Sequence, residues 1–355
     1  MAADAGVRAA VPLREVRPST PADAPAIVAL MRTAGLVPHV DPEHLHWKYW
    51  RTRTDCDAPR SFVLTDGREL LAHGAAMPGV LRAGGTRVGA IHMIDWAARR
   101  DAVGAGVQLM KHVGALTDCL FAIGGSAATL RILPRIGYRR CGDVFGYVRT
   151  LSPLALLRRP AAACWKLTPR FVRSAVWTWS ARRPATGGWH AWPVSDAELD
   201  RIAALRTADN TPLPYFERSR GFLHHMLACP IVPVELHAIA RAGRIHGYFV
   251  LSLVPGQARL ADWWIDSDVP ADRRALLGLA VRRARAIPGV AELVTWSSVP
   301  EDTNALSECG FHERLRLPLY IRASAGGAPP TDRLRVQMLD NDAFYLYFDH
   351  DELWA

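Results

Sequence analysis

The chain has 355 residues, half of them hydrophobic, with 43 Lys and Arg against 34 Asp and Glu and a formal net charge of +9; this is ample apolar material for two cores in a soluble, folded protein. The six cysteines (Cys56, Cys119, Cys141, Cys164, Cys229 and Cys309) include no Cys-x-x-Cys pair, so neither a zinc ribbon nor a disulfide framework is indicated and a reducing compartment fits. The amino terminus has no apolar signal core and no apolar run is long enough to span a bilayer, which predicts a cytoplasmic location.

In chain order, residues 1–12 read as a disordered N-terminus. Phe62 to Leu64 reads as a strand, followed by an Asp66-Gly67 turn, a β-prone stretch from Leu70 to Leu81, a Gly84-Gly85 turn and a third strand from Arg87 to Trp96. Val103, Val107, Met110, Val113 and Leu116 then recur at helical spacing. Leu120 to Ile123 reads as a short buried strand, Thr129 to Ile136 as helix despite Pro134, and Gly142 to Arg149 as a last strand. A second series repeats this order: strands over Val234 to Ala240, Ile245 to Leu253 and Arg259 to Asp266, a helix from Ala271 to Ala286, a strand from Glu292 to Trp296, a helix over Thr303 to Glu308 and a strand from Glu313 to Ile321. Three antiparallel strands followed by a β-α-β-α-β crossover predict a mixed sheet with helices on its faces, an α+β form of the α/β class.

Two landmarks tie the series together. His73-Gly74 recurs as His246-Gly247 and Gly137-Tyr138 as Gly310-Phe311, each 173 residues on (246 less 73, 310 less 137). A fixed offset held at two landmarks predicts an internal duplication.

The surplus charge is local. No Asp or Glu occurs from Val144 to Val194, and Leu151 to Trp189 holds seven basic residues, leaving +2 for the rest of the chain. In that joining segment Thr168-Pro169 is an N-cap and first-turn signature, and Phe171, Val172, Ala175, Val176 and Trp179 follow on one face. Such a basic, Trp-bearing helix over 168–183 either packs between two modules or lies on an anionic membrane as a peripheral contact. Nucleic acid is not indicated, because the aromatics are not interleaved on a β platform. His44 and His46 are two apart and point to different faces of a helix, and Asp340, Asp342, Asp349 and Asp351 lack the EF-hand spacing, so no metal is expected. Leu334 to Phe348 alternates apolar and acidic residues, which reads as a solvated strand that closes onto a domain.

At Arg99-Arg100-Asp101-Ala102-Val103-Gly104-Ala105-Gly106 a strand ends and a helix begins. Unpaired amides and the helix dipole there favour an anion, and the glycines let it approach; close packing of helix against strand is the other use of such glycines. With this loop and the Gly-aromatic pairs, the chain resembles the GNAT acyltransferases (GCN5-related N-acetyltransferases) as a tandem pair, and looks closest to two-domain GNAT proteins found with bacterial surface-polysaccharide genes, where a Trp-Lys-Tyr like Trp47-Lys48-Tyr49 is common. The resemblance implies a first domain over 13–150, a basic linker over 151–188, a second domain over 189–324 and an extension over 325–355. It implies acetyl-CoA or another acyl-CoA as donor, held by Ile94, Trp96, Arg99, Arg100, Val103, Gly104, Ala105, Gly106 and Ser126, and an amine acceptor, such as a nucleotide- or lipid-linked amino sugar, near Trp47 and Tyr49.

His92 and Asp95 lie where the family often keeps its base; each also has an ordinary structural reading, as does Ser126 as a helix cap. The sequence departs from the family at Asp101, where Arg or Gln is usual, and at Leu133 and Leu306, where a tyrosine acid is frequent. The second loop, Asp272-Arg273-Arg274-Ala275-Leu276-Leu277, has no glycine, so donor binding is expected in the first domain alone. A catalytically silent acyl-CoA-binding scaffold and a tRNA-dependent aminoacyl ligase are the alternative functions.

Overall fold

A computed structural model describes residues 14–36, 40–83, 85–153, 172–173, 175–178, 186–207, 213–323 and 333–346. The expected disordered N-terminus, most of the linker helix and Asp349 and Asp351 lie outside them. The chain forms two compact units.

The first unit comprises residues up to Arg51, Ala58–Ala76 and Met93–Leu116. It contains β1 (Glu15–Pro18), α1 (Ala24–Thr33), α2 (Pro42–Leu45), β2 (Ser61–Thr65), the first half of β3 (Leu70–Ala83), the second half of β4 (Thr86–Ala98) and α3 (Ala105–Gly114). β1 pairs antiparallel with β2, and β2 with β3 from Ser61↔Ala75 to Thr65↔Leu70. Asp41 accepts from the His44 amide at 2.8 Å and so caps α2. α3 buries Ala105, Leu109, Met110 and Val113. It starts two residues later than the apolar spacing predicts: Val103, expected on the buried face, is 84% exposed because it precedes the left-handed Gly104.

The second unit comprises Thr52–Asp57, Met77–His92 and the chain from Thr117 onward. Its further elements are β5 (Cys119–Ile123), α4 (Ala127–Ile132), β6 (Arg139–Thr150), β7 (His190–Pro193), α5 (Leu199–Thr207), β8 (Tyr215–Phe216), α6 (Arg220–Leu227), β9 (Val234–Arg241), β10 (Arg244–Val254), β11 (Gln257–Ile265), α7 (Pro270–Arg285), β12 (Glu292–Ser297), α8 (Pro300–Glu308) and β13 (His312–Ala323). The strand order is β4-β5-β13-β6-β12-β11-β10-β9-β7, with β8 on β3. β4·β5 and β11·β12 are parallel and the remaining recorded pairs antiparallel, giving the mixed sheet expected. α7 buries Ala275 through Val281 against Trp263, Phe249, Leu293 and Leu306, while Arg282, Arg283 and Arg285 lie outside that core.

The final strands are exchanged. β5 is bonded to β13 rather than to β6, and β12 to β6 rather than to β13. The ladders repeat at the sequence offset: Cys119 faces Ala323, and Thr150 faces Glu292, so adding 173 to Cys119 and to Thr150 gives the residues of the other pair.

The segment Leu334 to Leu346 closes onto the unit as expected, but it is neither a strand nor solvated. It forms 3-10 turns at Met338–Asp340 and Asp342–Phe344, and Leu334, Val336, Met338, Leu339, Phe344 and Tyr345 are buried. The Gln337 side chain donates to the Trp263 carbonyl at 2.9 Å and accepts from the Trp263 amide at 2.7 Å, which fixes the tail to β11. Within the linker, Trp177 stacks on His312 at 3.9 Å, and Val172 and Val176, on the expected apolar face, are 55% and 56% exposed.

The two landmark glycines sit in different surroundings. A Cβ at Gly247 would lie 2.2 Å from the Trp264 carbonyl oxygen, whereas one at Gly74 would meet the mobile end of Met93 at 2.8 Å. Gly247→Ala is expected to destabilise the fold by about 3 kcal/mol and Gly74→Ala by roughly 1 kcal/mol, the overpacking range; urea unfolding that reverses this order contradicts the packing described.

Candidate functional site

In the first unit several separate sequence signals converge on Asp95. The turn His46–Trp50 is π-helical, closed by the Arg51 amide on the His46 carbonyl at 2.7 Å, and its wide pitch buries Trp47, Lys48 and Tyr49 in succession. Lys48 Nζ lies 2.5 Å from the Asp95 carboxylate and the Tyr49 hydroxyl donates to it at 2.7 Å. Asp95 has φ +49, a strained backbone for a non-glycine residue that its partners hold in place. Burial pushes its carboxyl upward, but Lys48 and Tyr49 outweigh that and hold it below the usual carboxylate range.

His73, the first landmark, packs edge-on against Tyr49 with ring centres 5.3 Å apart, and its Nε2 is 3.0 Å from Ser61 Oγ. Burial drives its imidazole down to about 4. Trp47 stacks on His44 at 5.7 Å, and its carbonyl accepts from Arg60 at 2.9 Å.

The turn after β4 stands beside this cluster in the same unit. Gly104 adopts φ +80, and the Ala105 amide closes the turn on the Ala102 carbonyl at 3.0 Å, so the chain swings from strand into α3 with the first-turn amides at its head. Gly106 is a packing glycine: the Trp96 indole donates to its carbonyl at 3.1 Å, and a Cβ there would crowd Trp96 and Ala98 at 3.1 and 3.3 Å. Ile94 and Ala105 are buried. Arg99 is engaged by Asp101, at 3.0 and 2.6 Å, and by Glu69, and its hydrogen bonds hold the Asp101 carboxyl below its ordinary range. Arg100 is exposed and, among the described residues, makes no ion pair.

The first turn of the corresponding helix in the second unit carries an acid instead of glycines. The carboxylate of Asp272, in the first turn of α7, accepts from Trp189 at 3.1 Å and Ser267 at 2.7 Å.

The second unit holds features that the sequence did not disclose. A small pocket, with room for about one water, is lined on its apolar side by Met77, Pro78, Phe121, Phe216, Phe222 and Leu339, and on its polar side by Glu217, Arg218 and Asp340. Arg218 is buried; its Nε and Nη2 donate to Asp262 at 2.8 and 3.2 Å, and its Nη1 lies 2.7 Å from Asp340. Tyr248 donates to Asp262 at 2.7 Å. Burial pushes the Asp340 carboxyl up, against Arg218, which pulls it down. Glu217 accepts from Arg87 at 2.9 and 3.0 Å and also from Arg82.

His92 belongs to this unit. Its ring stacks on Phe121 at 4.7 Å and interacts with the Asp340 backbone, and burial lowers it to about 4. Ser126 caps α4, accepting from the Thr129 amide at 3.2 Å. The one available signal was for Asp262, a charge set between Ala261 and Trp263 in an apolar run; Arg218, between Glu217 and Ser219, carried none. Among the described residues no group of three or more His, Cys, Asp or Glu side chains is placed to hold a metal, and no helix is long and apolar enough to cross a membrane.

No protein-family model matches the sequence, and no match arises among curated proteins. Solved structures do match its fold. A GCN5-related N-acetyltransferase from Anabaena variabilis ATCC 29413 is similar at TM-score 0.60 and 13% identity, over 88% of this chain and 73% of that one. A protein of unknown function from Enterococcus faecalis V583, described as a probable N-acyltransferase, gives 0.58 and 14% over 88% and 73%. Saccharomyces cerevisiae N-myristoyltransferase with bound myristoyl-CoA gives 0.58 and 12% over 91% and 86%. The chain therefore has the GNAT and N-myristoyltransferase fold.

Removing Lys48 strands a buried carboxylate on a strained backbone. Lys48→Met is expected to cost about 3–5 kcal/mol in urea unfolding, and the double variant Lys48→Met/Asp95→Asn to regain much of it; equal losses in both would deny the coupling. The two buried imidazoles give a second expectation. Their folded values of about 4 lie below the ordinary 6.5, so the unfolded chain takes up protons first. The stability this confers is complete above pH 6.5 and declines as pH falls toward about 4, and replacing His73 and His92 by Phe flattens that slope. A slope unchanged in the variants would assign the acid loss to other groups.

Proposed function

We propose that this chain is an acyl-CoA-dependent N-acyltransferase that acts on a primary amine. The observation that carries the reading is the left-handed Gly104 turn, which presents the head of α3 at the end of β4, in a fold that solved acyltransferases share. Amides of the first turn of α3 and the free Arg100 are the groups proposed to hold the donor's phosphates, with Ile94, Trp96, Val103 and Ala105 supplying backbone around them. When bound, the donor supplies an activated thioester carbonyl: the amine nitrogen bonds to it, the carbon–sulfur bond breaks, and CoA leaves as the thiol with the proton the nitrogen loses.

Within the chain, His92 is the proposed base, because its imidazole is neutral at pH 7. Asp95 is poorly suited to take a proton, being held ionised by Lys48 and Tyr49; its proposed role is to fix those two side chains. Leu133 and Leu306 are buried and carry no proton, so no phenol acts at those positions.

Residues 13–150 and 189–324 are read as two GNAT-like domains, a reading supported by ladders that repeat at an offset of 173. An acid, Asp272, in the first turn of α7 and the lack of glycine there support donor binding in the first alone. The amino-sugar acceptor rests on the sequence resemblance. Peripheral contact of 168–183 with an anionic membrane is a secondary proposal, supported by exposed Val172 and Val176 beside Arg173.

Titration of acetyl-CoA by calorimetry tests the donor site. Low-micromolar binding is expected, and Gly104→Val, whose side chain meets no neighbour but must adopt a left-handed backbone at the phosphate loop, is expected to weaken it by about tenfold or more. Absence of heat with acetyl-CoA and with longer acyl-CoAs would refute the reading.

A further inference from the structure

We propose that Arg149 is the anchor of an anion site in the second unit, and that the site takes a phosphate group, carried either by a soluble phosphate ester or by a lipid headgroup. The proposal is independent of the acyltransferase reading, since it uses neither the turn at Gly104 nor His92.

The position of Arg149 is unusual for a cation. It lies on β6 between Tyr147 and Leu151, two members of the core that α7 and α8 share, and it faces Leu293 of β12, a third member, across the ladder. Only 1% of it is exposed. Among the described residues none supplies a hydrogen-bond partner to its Nε, Nη1 or Nη2. Burial, and then the charge of Arg285, lower the guanidinium to about 10, so it remains a cation at neutral pH.

A buried guanidinium with all its N–H donors unmatched is costly, and in a native fold such a group signals a water or an ion that completes it. Water fills the hydrogen bonds but leaves the charge. Two carboxylates from neighbouring positions are engaged with other groups: Glu308, next to Cys309, accepts from Arg274, and Glu292, opposite Thr150, accepts from Gln257 at 3.0 Å. The joining segment that follows β6 has no Asp or Glu before Val194. An external anion supplies both the charge and the acceptors.

Two features favour phosphate over a monatomic anion. The guanidinium fork presents paired donors that match two oxygens of a tetrahedral oxyanion. Arg285, exposed in the last turn of α7, adds a second cation whose charge reaches Arg149. The adjoining surface is basic and apolar together. His312, whose imidazole is held below its ordinary value by burial and by Arg149, carries the Trp177 ring at 3.9 Å, and the guanidinium groups of Arg173 and Arg314 stand 5.0 and 5.9 Å from that ring. Val172 and Val176, the chain neighbours of Arg173 and Trp177, are exposed, a composition suited to a lipid headgroup. Because no hydrogen bond restrains it, the Arg149 guanidinium can turn towards an anion arriving from this side.

The full-length chain is titrated calorimetrically with inorganic phosphate and with glycerol 3-phosphate, against potassium chloride at matched ionic strength. It is also sedimented with phosphatidylcholine vesicles, with and without phosphatidic acid. Phosphate binding of about millimolar Kd or tighter is expected, and at least about tenfold weaker binding in Arg149→Met. Phosphate is expected to raise the melting temperature of the wild type and not that of Arg149→Met. Because Arg149 lies in a core, Arg285→Gln is the second variant: its position is exposed, and it is expected to weaken phosphate binding several-fold with the circular dichroism of the fold retained. Sedimentation that requires both phosphatidic acid and Arg149 supports the site and assigns the phosphate to a lipid headgroup, whereas binding of glycerol 3-phosphate without sedimentation supports it with a soluble ester. Phosphate that acts no differently from chloride, or phosphate binding unchanged by Arg149→Met and by Arg285→Gln, overturns the proposal.

Discussion

The antiparallel pairing of β6 with β13 is the constraint on which the second unit depends. Each of these strands closes a series of elements that begins far from it in sequence, and each lies between its counterpart and a strand of the other series. β5 is paired on one edge by β4 and β12 by β11, and the other edge of each is paired by the exchanged strand, so the sheet is continuous across its centre. The register carries the same message: pairs separated by 173 residues match on both sides, and irregularities in the β6·β13 ladder fall near both of its ends. Strand exchange of this kind turns two short sheets into one continuous layer, and the helices α7 and α8 can then share a core with Tyr147 of β6.

Buried charge is the second organising theme, and the two units handle it differently. In the first, one carboxylate, Asp95, is met by one ammonium and one phenol on a strained backbone, so the cluster is small and complete. In the second, Arg218 serves two carboxylates contributed by β11 and by the tail. Burial of a lone ion is costly and pairing repays it only when geometry is good. The tail segment around Asp340 thereby has a structural task, holding a guanidinium against β11, besides its place at the small pocket.

Much of the strand and helix order was legible in the sequence. Glycine turns, alternating strands and a helix with Leu276, Leu279 and Ala280 on one face are local signals, and the duplicated His-Gly and Gly-aromatic pairs fixed their phase. The convergence of Trp47, Lys48 and Tyr49 on Asp95 was legible only as four separate residues, since no local rule places a π-helical turn. Strand exchange left no trace in either series, because a strand's neighbours are set by pairing over long separations. The tail was misread for a specific reason: alternation of apolar and acidic residues resembles a strand with one wet face, yet the acids at 340 and 342 are buried, one of them facing an arginine 122 residues earlier (340 less 218). Arg218, Asp262 and Asp340 form no motif, and only the isolation of Asp262 in the apolar run Leu260 to Trp264 hinted at a partner.

The exchanged strands also bear on how the chain is made. During synthesis β5 and β6 emerge well before β13, so both wait with open edges while about another 160 residues follow (312 less 150). Unpaired edges of this length invite pairing with other chains. Cells producing this protein would therefore gain from a holding chaperone or slow translation near the junction, and refolding from denaturant would favour dilute solution, where the only strand available to β5 is its own distant partner.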